Sequence, residues 1–143
     1  MQTVRINDKI SVAKQPEIEA FAELAADGFK AVINNRPDGE DAQQPGSAVE
    51  KQAAADAGLA YTHIPVTGAT ITEADIRAFQ AALANTDGPV LAHCKGGTRS
   101  LTLWVLGEVL DGRMRADEVR AFGEQRGFDL RGAEAWLAQH SGR

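Results

Sequence analysis

Cysteine is nearly absent from this chain. Cys94 is the only one in 143 residues, so no internal disulfide can form and no cysteine-rich metal site exists. Histidine is scarce as well, and three scattered residues leave a Cys/His zinc centre without its ligands. The N-terminal stretch Met1 to Asn7 has neither the basic start nor the apolar run of a secretory signal. The uncharged, apolar stretch Ser100 to Gly107 in the C-terminal half falls far short of the roughly 20 residues that span a bilayer. Charge of one sign never accumulates: 15 Lys and Arg stand against 20 Asp and Glu, a net charge of -5 without a like-charge block. Nucleic acid and membrane surfaces are therefore not expected partners. Nor is there an internal repeat or a low-complexity tract. The expectation is one soluble, cytoplasmic domain over residues 1–143, long enough to bury about two thirds of its surface without staples.

What is present is an alternation of short apolar runs with helical patterns. Thr3 to Ala13 reads as two short strands about an Asn7-Asp8 turn. Pro16 suits the first turn of a helix that carries Ile18, Phe21 and Ala25 and stops at Gly28. A buried strand from Lys30 to Asn34 follows, then the polar loop Asn35 to Glu40, then a helix from Ser47 to Ala57 closed by Gly58. Tyr61 to Val66 reads as the next strand, and Thr72 with Asp75 as the start of a helix with the stripe Ile76, Phe79, Leu83. Val90 to His93 is a strand, and the helix through Leu101, Leu103, Val105 and Leu106 is apolar on most faces and so central. Two more helices are expected around Ala116 to Arg126 and Leu130 to His140, with Phe79, Trp104 and Trp136 packing in the core. Such a pattern implies an α/β fold with a mainly parallel central sheet flanked by helices on both faces. Ligands of these sheets sit outside the carboxyl ends of the strands, which brings the loops beginning at Asn34 and Cys94 together.

The loop His93-Cys94-Lys95-Gly96-Gly97-Thr98-Arg99-Ser100 carries the chemistry. Gly96 and Gly97 let the backbone curl so that successive N–H groups, including those of Lys95 and Thr98, converge on one anion, and the following helix adds its positive end. Cys94 would lie at the floor of that cradle, with Arg99 folding back as a two-pronged donor. Amides, a helix N-terminus and a guanidinium favour a thiolate over a thiol, which makes Cys94 the expected nucleophile; the alternative is a small buried hydrophobe after a core strand. His93 and Asn34 are expected to order the loop, and Ser100 either to donate to the sulfur or simply to begin the helix. The side chain of Lys95 is expected to face outward and attract anions. Arg36 is expected to bind the anionic end of the substrate; the alternative there is an Asn/Pro/Asp/Gly turn with a surface arginine. His63 is expected to be an ordinary strand residue.

His-Cys-x-x-Gly-x-Arg-Ser at a strand-to-helix turn resembles the phosphate-binding loop of cysteine-dependent, dual-specificity-type phosphatases. The stretches Gly28 to Glu40, Tyr61 to Val66 and Gly88 to Ser100 together resemble a small bacterial family of beta-lactamase-hydrolase-like, phosphatase-like proteins also described as sulfurtransferases. The last two helices match nothing in it. The resemblance implies a dual-specificity-phosphatase-like α/β fold and leaves two reactions open. Only four residues separate Cys94 from Arg99, one fewer than in those phosphatases and similar to the rhodanese loop. The loop after the Tyr61 strand reads Thr67-Gly68-Ala69-Thr70 where the resemblance implies an acid. Asp38 is the candidate acid for a phosphatase, ahead of Glu73 and Asp75, whose place at a helix start the dipole already explains. Sulfur transfer needs no acid, no metal and no cofactor. The first expectation is therefore a sulfurtransferase that moves sulfane sulfur from thiosulfate or a persulfide through a Cys94 persulfide to a thiophilic acceptor, a protein among the candidates. The second is a phosphatase acting on phosphate esters through a phosphocysteine. The third is a passive anion-binding module.

Overall fold

The computed structural model describes residues 1–140. Its sheet has five strands in the order β1-β2-β5-β3-β4: β1 Val4–Arg5, β2 Ile10–Ala13, β3 Ala31–Asn34, β4 Ala60–His63 and β5 Val90–His93. All neighbours run parallel except β1, which pairs antiparallel with β2. Asn7 closes that hairpin through its side-chain oxygen, which accepts from the amides of Lys9 and Ile10 at 2.8 and 3.0 Å.

Strand residues alternate between two helical layers, as a period of two requires. Ile10, Val12, Ala31, Ile33, Val90 and Ala92 face one side, where α3 (Glu73–Ala84), α4 (Thr98–Leu110), α5 (Val119–Gln125) and α6 (Arg131–Gln139) supply Phe79, Leu101, Leu106 and Trp136. Ala13, Val32 and Leu91 face the other, against Phe21 and Leu24 of α1 (Ala20–Ala26) and Ala54 of α2 (Ser47–Ala57). Helix α4 is buried on most of its circumference, as its composition requires. Trp136 is seated by its indole N–H on the carbonyl of Ile71 at 2.8 Å, and Trp104 stacks on Phe122. No helix among the described residues is long and apolar enough to cross a membrane.

Three boundaries differ from the sequence reading. Helix α1 starts at Ala20, not near Pro16, because the Gln15 amide donates to the carbonyl of Lys95 and keeps this stretch extended beside the Cys94 loop. Strand β4 ends at His63: the amides of Ile64 and Val66 pass to Asn34 and Asn35, and Pro65 between them has no N–H. The helix expected from Ala116 opens as a 3-10 turn, Ala116–Glu118, before α5.

Candidate active site

Register assembles the site. Ala13, His93, Asn34 and His63 lie side by side across the four parallel strands, so the loops that leave them emerge at one edge. β5 lies between β2 and β3, and Cys94 therefore leaves the sheet at its centre.

The turn after Cys94 depends on Gly97, which caps the start of α4 at φ +100°. A Cβ there would lie 3.0 Å from the ring of Phe128 and 3.4 Å from the carbonyl oxygen of Ala13. In that conformation the Gly97 amide donates to the sulfur of Cys94 at 3.0 Å. Lys95 and Gly96 are exposed, Thr98 and Arg99 are half-buried. Cys94 lies beneath this turn and is 1% exposed, a burial that the alternative of a small hydrophobe after a core strand shares. The loop closes around the sulfur, and an incoming anion has to take over donors that now face it.

Arg99 donates from Nη1 and Nη2 to the two oxygens of Glu40 at 2.7 and 3.1 Å, and from Nη1 to the carbonyl of Val66 at 3.0 Å. Its guanidinium is raised in basicity first by Glu40, against an opposing effect of burial, and also by the nearby Cys94 sulfur. Glu40 accepts from Nε of Arg36 too, at 3.0 Å. The Arg99 hydrogen bond above all holds the Glu40 carboxyl at about 2, well under its ordinary 4.5.

Arg36 differs from expectation. It is 3% exposed, and its guanidinium is engaged by Glu40 and by the side-chain oxygen of Gln15 at 3.1 Å, so it braces the Asn35–Glu40 loop instead of reaching for a ligand. Asn34 accepts from the amide of Arg36 and donates to Tyr61 at 2.9 Å. The Ser100 hydroxyl donates to Asn35 at 2.8 Å, while Asn35 donates to the carbonyl of Ile64. His63 accompanies them, its Nε2 2.9 Å from the carbonyl of Arg36.

Asp38, the candidate acid, has another task. One oxygen accepts from the Ser47 amide at 2.7 Å and the other from the Ser47 hydroxyl at 2.6 Å, which starts α2 and lowers the carboxyl below its ordinary value. A carboxylate held ionised is a poor proton donor. Asp75 completes a capping box with Thr72, and Glu73 pairs with Arg77 at 3.4 Å.

Two carboxylates beside the Cys94 loop are not singled out by the sequence. Glu40 ends a loop of turn-forming residues, and nothing local tells that its partner is Arg99, 59 positions away. Glu50 is buried on α2 and meets Nε2 of His93 at 2.8 Å. A signal for it existed: Glu50 occupies the apolar stripe of α2 with Ala53, Ala54 and Ala57, where a charge needs a buried partner.

Comparison with known proteins shows the family and the fold. Residues 3–111 match the family model of the beta-lactamase hydrolase-like protein, phosphatase-like domain. A beta-lactamase hydrolase-like protein of Agrobacterium fabrum is 57% identical over 141 residues, which cover 99% of this chain and 33% of that protein. The chain thus spans about a third of the length of the curated relatives it matches. A crystal structure from Neisseria meningitidis Z2491, provisionally assigned as a phosphatase, superimposes with a TM-score of 0.83 at 30% identity, covering 94% of both chains. Pseudomonas aeruginosa TpbA in complex with phosphotyrosine shares the fold, with a TM-score of 0.61 at 20% identity over 95% of this chain and 90% of that one.

Proposed function

The chain belongs to the family of the phosphatase-like domain of beta-lactamase hydrolase-like proteins, and from that premise we propose that it hydrolyses phosphate monoesters through Cys94. The observation that carries the reading is the Gly97 amide turned onto the Cys94 sulfur at 3.0 Å, with Arg99 entering from the first turn of α4. Donors aimed at one point, at the positive end of a buried helix, suit an anionic sulfur first and a phosphoryl group after it. This reverses the order of the two expectations from sequence: the matched family model and the superimposed Neisseria structure are phosphatase-like, which supports phosphate-ester hydrolysis over sulfur transfer.

In the first step the Cys94 thiolate attacks phosphorus. An S–P bond forms, the ester P–O bond breaks, and the leaving oxygen departs with the bonding pair and takes its proton from solvent water. Water then attacks the phosphocysteine, releasing inorganic phosphate and restoring the thiolate. Arg99 holds two equatorial oxygens, and Glu40, bound to its Nη1 and Nη2, leaves its Nε edge for them. Glu40, Asp38, Asp75 and Glu73 all have partners already, so departure without a strong acid favours aryl over alkyl phosphates. A phosphotyrosine-like substrate meets that demand, and the TpbA complex supports it.

Sulfur transfer is the second reading, favoured by the four-residue spacing from Cys94 to Arg99 and by the same engaged carboxylates. One experiment separates the two. The wild type is expected to release p-nitrophenol from p-nitrophenyl phosphate, and Cys94→Ser to release none. No release, together with the gain of one sulfur after incubation with thiosulfate, overturns the phosphatase reading.

A further inference from the structure

We infer that the substrate carries a second anionic group besides its phosphate, and that Lys14 and Lys95 receive it in a cavity beside the Cys94 loop. The inference rests on the phosphate-ester reading of Cys94 and adds to it a class of substrate.

The cavity has a volume of about 250 Å³. Its wall is built by the segment that follows β2, by the loop that follows β3, and by Lys95, the residue next to the nucleophile. Main-chain bonding sets these pieces together, since the Gln15 amide donates to the carbonyl of Lys95 at 3.0 Å. The Gln15 side chain turns inward, accepting from Arg36 at 3.1 Å and donating to Glu50 at 2.7 Å. That anchors the segment and leaves its neighbour Lys14 exposed, like Lys95. Neither Gly97 nor Arg99 lines the cavity, so its lysines serve a different group from the one held at the sulfur.

The charges of the wall, sorted by partner, leave an excess of cations. Every arginine among the described residues other than Arg126 is paired with a carboxylate. Arg36 follows this rule: Glu40 binds its Nε, and Asp41 lies 4.0 Å from its Nη2. Arg36 and Asp41 therefore offer a ligand little net charge. Lys14 and Lys95 are different, for neither side chain has a hydrogen bond or an ion pair among the described residues. Against them stands the exposed carboxylate of Glu17, which also lines the cavity. Two free ammonium groups and one free carboxylate make the wall positive on a chain whose net charge is -5. Each ammonium brings three donors on a flexible stem, a match for a carboxylate or a second phosphate carried on the same molecule as the scissile ester.

The test uses two substrate pairs: phosphotyrosyl peptides with glutamate or with alanine beside the phosphotyrosine, and aryl phosphates with or without a carboxylate on the ring. The wild type is expected to favour the acidic member of at least one pair by about fivefold in kcat/KM at low salt, a preference that falls as salt screens it. Lys14→Gln and Lys95→Gln should each lower the preference by about threefold, the size that one exposed ion pair supports. Glu17→Gln should raise it by about twofold by removing the competing carboxylate. A ratio taken within one protein cancels any general loss of activity, and thermal unfolding checks that the variants stay folded. A response in the peptide pair identifies an acidic segment of a phosphoprotein as the source of the second anion, and a response in the aryl pair alone identifies a small molecule. No preference in either pair overturns the inference, and so does a preference that Lys14→Gln leaves intact. If the wild type hydrolyses none of the four, the phosphatase reading has failed separately. Binding of the two peptides to Cys94→Ser, read by fluorescence anisotropy, then decides: tighter binding of the acidic peptide that Lys14→Gln abolishes supports the subsite, and equal binding overturns it.

Discussion

Replacing Glu40 with glutamine removes one charge from the bridge between the Asn35–Glu40 loop and Arg99 and leaves the side chain's shape intact. The carboxylate faces Nη1 and Nη2 of Arg99 at 2.7 and 3.1 Å and Nε of Arg36 at 3.0 Å. The Arg99 hydrogen bond is the largest reason that its carboxyl is held at about 2 against an ordinary 4.5. A depression of that size corresponds to about 3 kcal/mol of preference for the ionised folded state. The group is open to water, and solvent screening reduces this to about 1–2 kcal/mol. Because the folded value lies below the unfolded one, the stabilisation is complete above pH 4.5 and is lost as the pH falls towards 2. Urea unfolding of the wild type and Glu40→Gln, followed by tryptophan fluorescence, measures it. The variant should be less stable by about 1–2 kcal/mol near neutral pH, and the two curves should converge as the pH falls through that window. An equal difference on both sides of the window, or none near neutrality, refutes the reasoning. The same variant should lose about tenfold in kcat/KM on an aryl phosphate, because Arg99 is no longer fixed. A gain would show that Glu40 competes with the anion for Arg99 instead of anchoring it.

Gly97→Ala meets a φ of +100° and places its Cβ 3.0 Å from Phe128; the expected cost is about 1–3 kcal/mol in thermal unfolding, with loss of phosphatase activity as the amide turns off the sulfur. Ser100→Ala leaves the buried oxygen of Asn35 without its 2.8 Å donor and should destabilise by about 1–3 kcal/mol in the same assay, whereas an unchanged midpoint would mean that the contact carries no weight. Asp38→Asn should weaken the start of α2 by about 1 kcal/mol and leave the shape of the pH–rate profile unchanged; a changed shape on the alkaline side would make Asp38 the acid. Peroxide should inactivate the enzyme progressively, because the sequence contains no second cysteine to trap a sulfenic acid at Cys94, and activity that survives prolonged treatment without reductant would contradict Cys94 as nucleophile.

What could be read from the sequence is what neighbours along the chain decide. Val90 to His93 alternates its faces like a central strand, and Leu101 to Leu106 is apolar all round like a buried helix. Gly97 marks a turn that a side chain would strain. Thr72 and Asp75 announce a helix start by their spacing. These are local rules of backbone geometry, and the strand order brought together the Asn34 and Cys94 loops as the parallel-sheet rule requires. The tertiary structure decided which charges meet. Arg36 by its sequence is a candidate for the anionic end of a substrate, and the fold instead sets Glu40 and Gln15 against its guanidinium. Asp38 looked like an acid until Ser47 took both its oxygens. Glu50 and His93, 43 positions apart, pair only because α2 packs against the face where β3 and β5 lie in register. Secondary structure is set by contacts a few residues long, but the state of an ionisable group is set by whatever the fold brings within a few ångströms of it, and that distance is not written in the order of the chain.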